Sequence, residues 1–431
     1  METRANNFNE KIYDVLIIGG LGHIGLPLGM VFAQKGLNVC LLDIDHVKAN
    51  MVMRGIMPFV EHDAEPILKE VLKKGKLKIS FDKNDIRKSK NIIVTLGTEI
   101  DEYMNPKTRK FMDSIFEIKE YIDSTQTVII RSTVYPSLCR QLAKKMEGIN
   151  IAYCPERVAQ GYTIKELAKL PQIVSGFSEK AINDAKKLFS LISPKVIETS
   201  VGEAELVKLF SNSLRYIQFA TANQFYMLAR KLGVDYEKVK NSLKDDYDRA
   251  DFLTSAGFSA GPCLFKDTMH LVAFDDANFP IGNSAMIINE GLPNFIVNDL
   301  SKKHDLNKKK IGILGMAFKA EVDDIRDSLS YKLLKTLKFN GAEVLCSDEF
   351  VKNPDFVSKE ELISRSDIVI VGAPHSAYKE LQIPDSVEVV DLWGVLKKDK
   401  DKDLQLKKEE ELPKEYQDEK YPYHRELRKP W

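Results

Sequence analysis

The segment from Gly261 to Asp267 carries the side chains best suited to covalent chemistry. Pro262 favours the first position of a helix, which would place the thiol of Cys263 in the first helical turn. The positive end of the helix dipole is expected to lower the pKa of a thiol there and to raise its thiolate fraction. Asp267 follows four residues later on the same helical face. The segment predicts a cysteine nucleophile beside a carboxylate, and packing of an inert cysteine is the alternative.

Lys208 and Asn212 form a second pair at helical spacing. A cation and an amide on one helical face could stabilise a developing oxyanion. The alternative is a polar stripe at an interface between domains, which would need no chemistry.

A glycine-rich segment near the N-terminus reads Gly20-Leu21-Gly22-His23-Ile24-Gly25. It follows a predicted strand and opens a predicted helix, and Asp43 ends the next strand about 20 positions on, which is the context of a dinucleotide-binding turn. Gly20 would allow the tight turn, Gly22 the approach of the pyrophosphate and Gly25 close helix packing. Asp43 would bind the adenosine ribose and repel a 2′-phosphate, so NAD is the expected cofactor. A structural glycine turn in another α/β protein is the alternative.

The elements around these residues alternate between strands and helices, which predicts parallel sheets. One long helix interrupts the alternation from Gly202 to Leu232, and Gly233 follows as its stop signal. We therefore predict an α/β fold with two Rossmann-like domains joined by a long-helix central domain. The predicted parts are an NAD-binding domain over 1–200, a central domain over 201–305, a second Rossmann-like domain over 306–395 and a charged tail over 396–431.

The second α/β section has Gly312 and Gly315 but lacks a third glycine at the expected place. Lys319 follows in the same loop, which suits a phosphate-bearing ligand other than NAD. A surface lysine with no ligand is the alternative.

The composition gives no reason to expect nucleic acid or a membrane as a partner. Lys plus Arg and Asp plus Glu both number 63, so the formal net charge is zero. Residues 1–11 lack the apolar core of a secretory signal. Five scattered cysteines without paired or metal-ligand spacing predict a metal-free protein in a reducing compartment, the cytoplasm.

Taken together, these motifs resemble the nucleotide-sugar 6-dehydrogenase family, which includes the UDP-glucose, GDP-mannose and UDP-N-acetylmannosamine dehydrogenases. The resemblance covers roughly residues 12–395. The further matching segments are Ser132-Thr133-Val134, Pro155-Glu156-Arg157-Val158, Glu205-Leu206-Val207-Lys208 with Asn212, Lys266-Asp267, Gly315 to Lys319, and Asp323-Asp324-Ile325-Arg326. Within Gly97-Thr98-Glu99, Thr98 alone matches the family's Thr-Pro turn.

The resemblance assigns a role to each matched residue. It implies that Cys263 captures an aldehyde and that a thioester forms and is hydrolysed, which divides a four-electron oxidation into separate steps. The implied catalytic roles are oxyanion stabilisation by Lys208 and Asn212, positioning or activation of water by Asp267 and Thr133, and assistance to thioester hydrolysis by Glu156. The implied cofactor contacts are Gly20, Gly22, His23, Ile24, Gly25, Asp43, Thr98 and Thr133; the implied substrate contacts are Glu156, Arg157, Lys208, Asn212, Arg249 and Lys319.

The motifs leave the sugar open. Pro155-Glu156-Arg157-Val158 resembles the branch that acts on UDP-N-acetylhexosamines, which favours UDP-N-acetylmannosamine. Arg157 also offers donors to an acetamido carbonyl or a phosphate. Lys266-Asp267 is more typical of the UDP-glucose and GDP-mannose branches. UDP-glucose is therefore the second candidate, and two other classes remain: a two-electron hydroxyacid dehydrogenase and a nucleotide sensor without turnover. A homodimer through the long helix is also expected.

Overall fold

The computed structural model describes residues 11–396. The N-terminal ten residues and positions 397–431 of the predicted charged tail lie outside this range. Residues 11–396 form two compact units. The first contains the residues up to Tyr216 together with Gly261–Asn283 and Glu321–Arg326. The second contains Ile217–Ala260, Ser284–Ala320 and the chain from Asp327 onward.

Twelve strands and thirteen α-helices make up the described chain. The strands are β1 Tyr13–Ile18, β2 Val39–Leu42, β3 Leu77–Ser80, β4 Ser89–Val94, β5 Thr127–Ile130, β6 Asn150–Tyr153, β7 Gln172–Gly176, β8 Val196–Glu198, β9 Lys310–Leu314, β10 Glu343–Ser347, β11 Ile368–Val371 and β12 Glu388–Asp391. The helices are α1 Gly25–Gln34, α2 His46–Met53, α3 Ala64–Lys73, α4 Thr108–Phe116, α5 Leu138–Lys145, α6 Thr163–Leu167, α7 Glu179–Phe189, α8 Val201–Lys231, α9 Tyr236–Lys244, α10 Leu264–Phe274, α11 Pro280–Lys303, α12 Leu329–Phe339 and α13 Lys359–Arg365.

The first unit is organised around an eight-stranded sheet in the order β3-β2-β1-β4-β5-β6-β7-β8. Neighbouring strands are parallel except for the antiparallel pair β6 and β7. Every residue of β2 and β5 is buried, as expected for parallel strands with helices on both faces. The carboxyl ends of β1, β4, β5 and β6 lead into the segments that the sequence identified as candidate site loops.

Helix α8 has 31 residues and begins and ends within one residue of the predicted bounds. Gly233, two residues after the helix ends, has a left-handed φ of 72°. The amide of Val234 donates to the carbonyl of Ala229 at 3.0 Å, which closes the last turn in the manner of a glycine C-cap. Apolar periodicity and one glycine were therefore sufficient to locate this helix.

The second unit contains a four-stranded parallel sheet in the order β10-β9-β11-β12. Apolar residues of β9 and β11 form its centre, including Ile311, Ile313, Ile368 and Ile370. The α/β architecture with two sheets and a helical middle is the predicted one. Within residues 11–396, no helix combines the length and the apolar character needed to cross a bilayer.

Candidate active site

The glycine-rich loop between β1 and α1 is closely packed backbone. A Cβ at Gly25 would lie 2.4 Å from the carbonyl oxygen of Gly19, and one at Gly20 would lie 2.7 Å from Cβ of Leu41. The left-handed turn lies at Gly19, with φ of 74°, and not at Gly20 as expected. Gly20 is needed instead because a neighbouring strand leaves no room for a side chain.

Asp43 follows β2 at the place expected for a ribose-binding carboxylate. Its Oδ2 accepts a hydrogen bond from the amide of Leu21 at 2.8 Å, and Oδ1 accepts from the amides of Ile44 and Asp45. The side chain stays partly exposed. Ile24 precedes α1 without a side-chain cap. The helix end can therefore receive a diphosphate, and Asp43 a ribose hydroxyl. The loop thus fits NAD.

His23 packs inside this loop. Its ring lies 4.1 Å from the ring of Phe59, centroid to centroid. Burial lowers the pKa of His23 to about 4, despite the opposing effect of Asp324, whose carboxylate is 3.8 Å from Nε2. A neutral ring packed on phenylalanine shapes the loop without adding charge to it.

Cys263 is the N-cap residue of α10 and is exposed to solvent. The prediction placed it inside the first turn, which is wrong by one position. Pro262 lies outside the helix for the same reason. The carbonyl oxygen of Cys263 accepts the amide of Asp267 at 2.9 Å, so the two residues are joined by the first helical hydrogen bond.

The expected lowering of the pKa of the Cys263 thiol is wrong. Desolvation raises this pKa first and the Asp267 carboxylate raises it further, while Lys208, Lys266 and Arg326 act in the opposite direction with smaller effect. Exposure and desolvation coexist when water reaches a group from one side and protein surrounds it on the others. The thiol therefore needs a partner that removes its proton.

Asn212 and Asp267 meet in the interior of the first unit. The Asn212 amide on α8 donates to Oδ2 of Asp267 on α10 at 2.6 Å. Asp267 is fully buried. Burial raises the pKa of its carboxyl group, but the charges of Lys266 and Lys208 outweigh that effect and leave the pKa below its ordinary value. The predicted pair Lys208 and Asn212 therefore acts on Asp267, the carboxylate of the other predicted pair.

Lys266 connects this carboxylate to the loops after β4 and β5, a contact that the sequence reasoning missed. Its Nζ is 2.7 Å from Oδ1 of Asp267 and donates to Oγ1 of Thr98 at 3.0 Å. The Thr98 hydroxyl in turn donates to the backbone oxygen of Thr133 at 2.7 Å. Adjacent residues on a helix point in different directions, so sequence spacing gave no reason to expect Lys266 and Asp267 to meet.

The predicted contacts Glu156 and Arg157 are held by protein partners. Oε1 of Glu156 accepts the amides of Arg157 and Val158 at 2.7 and 3.1 Å. Its Oε2 bonds Arg131, which sequence reasoning also missed. The Arg157 guanidinium donates to the carbonyl oxygen of Pro171 at 2.5 Å. Substrate contacts by these two residues stay predictions.

Lys319 and Arg249 belong to the second unit, so their predicted substrate contacts also stay predictions. This unit has its own strand-ending carboxylate, Asp348, which is completely buried. Its Oδ2 accepts the amides of Met316 and Ala317 at 2.6 and 2.9 Å. A ribose cannot reach such a carboxylate, which supports the expectation that the second glycine loop takes a ligand other than NAD.

The fold and the first glycine loop define an NAD-dependent dehydrogenase. Three models of one family match this chain: an NAD binding domain over residues 14–193, a central domain over 202–290 and a UDP binding domain over 312–398. The chain therefore belongs to the UDP-glucose/GDP-mannose dehydrogenase family, whose members are NAD-dependent nucleotide-sugar dehydrogenases.

Individual relatives cover most of the chain. The UDP-N-acetyl-D-mannosamine dehydrogenase of Pyrococcus horikoshii is 30% identical over 378 residues, 84% of this chain and 90% of that protein. A UDP-glucose 6-dehydrogenase of Rickettsia felis is 26% identical over 88% of this chain and 91% of its own length. The solved structure of the Pyrococcus horikoshii UDP-D-ManNAc dehydrogenase superposes with a TM-score of 0.81 at 28% identity, over 89% of this chain and 96% of that one.

Proposed function

We propose that this enzyme oxidises UDP-N-acetyl-D-mannosamine at C6 to the uronate. The observation that carries the proposal is the constellation around Cys263, in which the buried Asp267 bonds Asn212 and Lys266 within one unit. Relatives named for this substrate at up to 30% identity support the choice of sugar. UDP-glucose is the second candidate, supported by the relative named for it.

The net reaction consumes one water and yields the carboxylate, two NADH and three protons. NAD, when bound, accepts the hydride in each oxidation. Cys263 adds to the aldehyde through sulfur, and the resulting thiohemiacetal is oxidised to a thioester. In hydrolysis the oxygen of water forms a bond to the thioester carbon, the carbon–sulfur bond breaks, and the thiolate of Cys263 leaves.

The residues near the thiol suit these proton movements. Because burial and Asp267 raise the pKa of Cys263, the thiol has to lose its proton as sulfur adds to the aldehyde, and the charges of Lys208 and Lys266 favour the thiolate. The Asn212 side-chain amide has two N–H groups. One donates to Asp267, and the other could donate to an oxyanion. Lys208, whose charge acts on both Cys263 and Asp267, would supply the positive charge. Thr133 would help to position water.

The test is incubation with NAD and a panel of UDP- and GDP-sugars, followed by NADH counting and product mass analysis. We expect two NADH and one uronate per UDP-N-acetylmannosamine. A preference for UDP-glucose would change the assigned substrate and leave the proposed reaction type in place. One NADH with a ketone product would support the two-electron alternative, and binding without turnover would support a sensor. For Cys263→Ser we expect retained NAD binding and no uronate; unchanged turnover would exclude the covalent step.

We also propose a homodimer formed through the long helix. Large apolar side chains are exposed along the end of α8 and the following segment: Phe225, Leu228, Leu232, Val234, Val239 and Leu243. Exposed apolar residues grouped in this way mark interaction sites. Light scattering should give twice the chain mass, and Leu228→Lys should reduce it; a wild-type monomer would reject this assembly.

The cellular compartment and the domain division complete the proposal. All five cysteines are free and four of them are buried, which suits a reducing compartment such as the cytoplasm. We retain the division into an NAD-binding part over 1–200, a central part over 201–305 and a nucleotide-sugar part over 306–395. Limited proteolysis with mass mapping tests it, because cleavage is expected near 200 and 305.

A further inference from the structure

Trp393, two residues after β12, contacts two separate loops of the second unit. Its indole Nε1–H donates to the carbonyl oxygen of Gly372 at 3.1 Å. A Cβ on Gly257 would lie 2.4 to 2.5 Å from three atoms of the six-membered ring of the same indole. The ring therefore lies directly on the backbone of Gly257, where a side chain has no room.

Gly372 belongs to the edge of the second sheet where a ligand is expected. It follows β11 directly, and its amide donates to the carbonyl oxygen of Leu314 at 2.8 Å. A Cβ on Gly315, in the second glycine loop, would lie 2.5 Å from the amide nitrogen of Ala373. The loops after β9 and β11 are thus in backbone contact at the carboxyl ends of parallel strands, the usual place for a nucleotide in such a sheet. This part of the chain matches the UDP binding domain.

Gly257 is also held by α8. Its amide donates to Oδ1 of Asn223 at 2.8 Å, and its carbonyl oxygen accepts from Nδ2 of Asn223 at 3.0 Å. The same Nδ2 donates to Oδ1 of Asn289 on α11 at 2.9 Å, and both asparagines are completely buried. A buried amide and an indole therefore hold the backbone at Gly257, and Cys263 follows six positions later along the chain.

We propose that Trp393 is a positioning residue that links the second glycine loop to the segment before the nucleophile. When the UDP part of the substrate occupies the loops after β9 and β11, the contacts of Trp393 restrict the backbone at Gly257 and so hold Cys263 ready for attack. Chains of packed and hydrogen-bonded groups carry coupling of this kind. The inference rests on the proposed function, because it concerns a UDP-bearing substrate and a cysteine nucleophile.

The test measures the rate of Cys263 alkylation by iodoacetamide with and without saturating UDP, followed by mass analysis of the Cys263 peptide. UDP is the probe because it carries no sugar that could react with the thiol. Cys263 is exposed and the other four cysteines are buried, so its alkylation can be followed separately. We expect UDP to slow alkylation about 5-fold in the wild-type protein, the lower end of coupling between two sites. A restricted segment gives the thiol fewer ways to approach a free reagent.

Trp393→Phe removes Nε1 and the outer ring that covers Gly257, and it keeps an aromatic side chain. We expect this variant to bind UDP in titration calorimetry and to be alkylated at the same rate with and without UDP. Equal protection in the variant would show that UDP shields the thiol directly and would overturn the linking role. Absence of protection in the wild-type protein, or loss of UDP binding in Trp393→Phe, would overturn it as well.

Gly257→Ala tests the other end of the link, and Gly291→Ala is its matched control. A Cβ at Gly257 meets the indole, whereas a Cβ at Gly291 on α11 has nothing within 4 Å. The effect of UDP on alkylation should disappear in Gly257→Ala and persist in Gly291→Ala; a Gly257→Ala variant with the full effect would contradict the link. Protection by UDP in a wild-type protein that makes no uronate would reject the proposed reaction and leave the link in place. Uronate formation without protection would do the reverse.

Discussion

Lys266→Met is the substitution whose effect the structure defines most closely. The Lys266 ammonium is 2.7 Å from Oδ1 of Asp267, and the two side chains are 14% and 1% exposed. The substitution keeps an unbranched side chain that is one atom shorter and removes its charge. Asp267 would then retain the Asn212 amide as a hydrogen-bond donor and lose its nearest cation.

Removing one partner of a buried ion pair costs about 3–5 kcal/mol. Because Lys208 still acts on Asp267, we expect the lower end, about 3 kcal/mol. For a folding unit of roughly this size, 1 kcal/mol corresponds to about 2–4 °C in Tm. The expected fall in Tm is therefore about 6–12 °C near neutral pH, measured by circular dichroism or by a dye-based melting assay.

The loss should depend on pH. The pKa of Asp267 is lowered in the wild-type fold, so its contribution to stability is present above the unfolded pKa of about 3.9 and disappears as the pH falls through the lower folded value. Without Lys266 the folded pKa rises, and the carboxylate can take up a proton under mildly acidic conditions. The difference in Tm between variant and wild type should shrink from about pH 7.5 to about pH 5.

Lys74→Met is the control, since Lys74 and Glu70 form an exposed helical pair with side chains 57% and 44% exposed. Such pairs contribute at most about 1 kcal/mol. Equal losses in the two variants, or a difference in Tm that is constant with pH, would refute the reasoning for Lys266.

Two further predictions concern the glycine loop and the thiol. Gly25→Ala should lower NAD affinity at least about 10-fold and cost about 1–3 kcal/mol of stability, because its Cβ would lie 2.4 Å from the Gly19 carbonyl oxygen. Titration calorimetry measures the affinity. The control is Gly202→Ala, where a Cβ would have nothing within 4 Å, and this variant should bind NAD normally. The rate of Cys263 alkylation by iodoacetamide should keep rising above about pH 8.5, where an ordinary thiol is half ionised, because burial and Asp267 raise its pKa. Asp267→Asn removes a negative charge and should move the pH profile of alkylation to lower pH. A profile that stays in place or moves to higher pH would show that Asp267 does not raise the pKa of Cys263.

The sequence by itself determined the features that depend on neighbouring positions. Apolar periodicity and Gly233 located α8 to within one residue. The glycine segment with Asp43 indicated NAD, because strand, turn and helix follow one another along the chain. The same holds for the i, i+4 spacing of Cys263 and Asp267, which placed the thiol and the carboxylate one helical turn apart.

The tertiary structure alone decided which charges meet. Lys266 reaches Thr98 across 168 positions of sequence, and Arg131 reaches Glu156 across 25. It also reversed the expected pKa shift of Cys263, because desolvation and a nearby carboxylate outweigh the surrounding cations. A residue's position in a helix can be read from its neighbours, but its burial and its charged partners arise only when distant segments pack together, and these set its pKa.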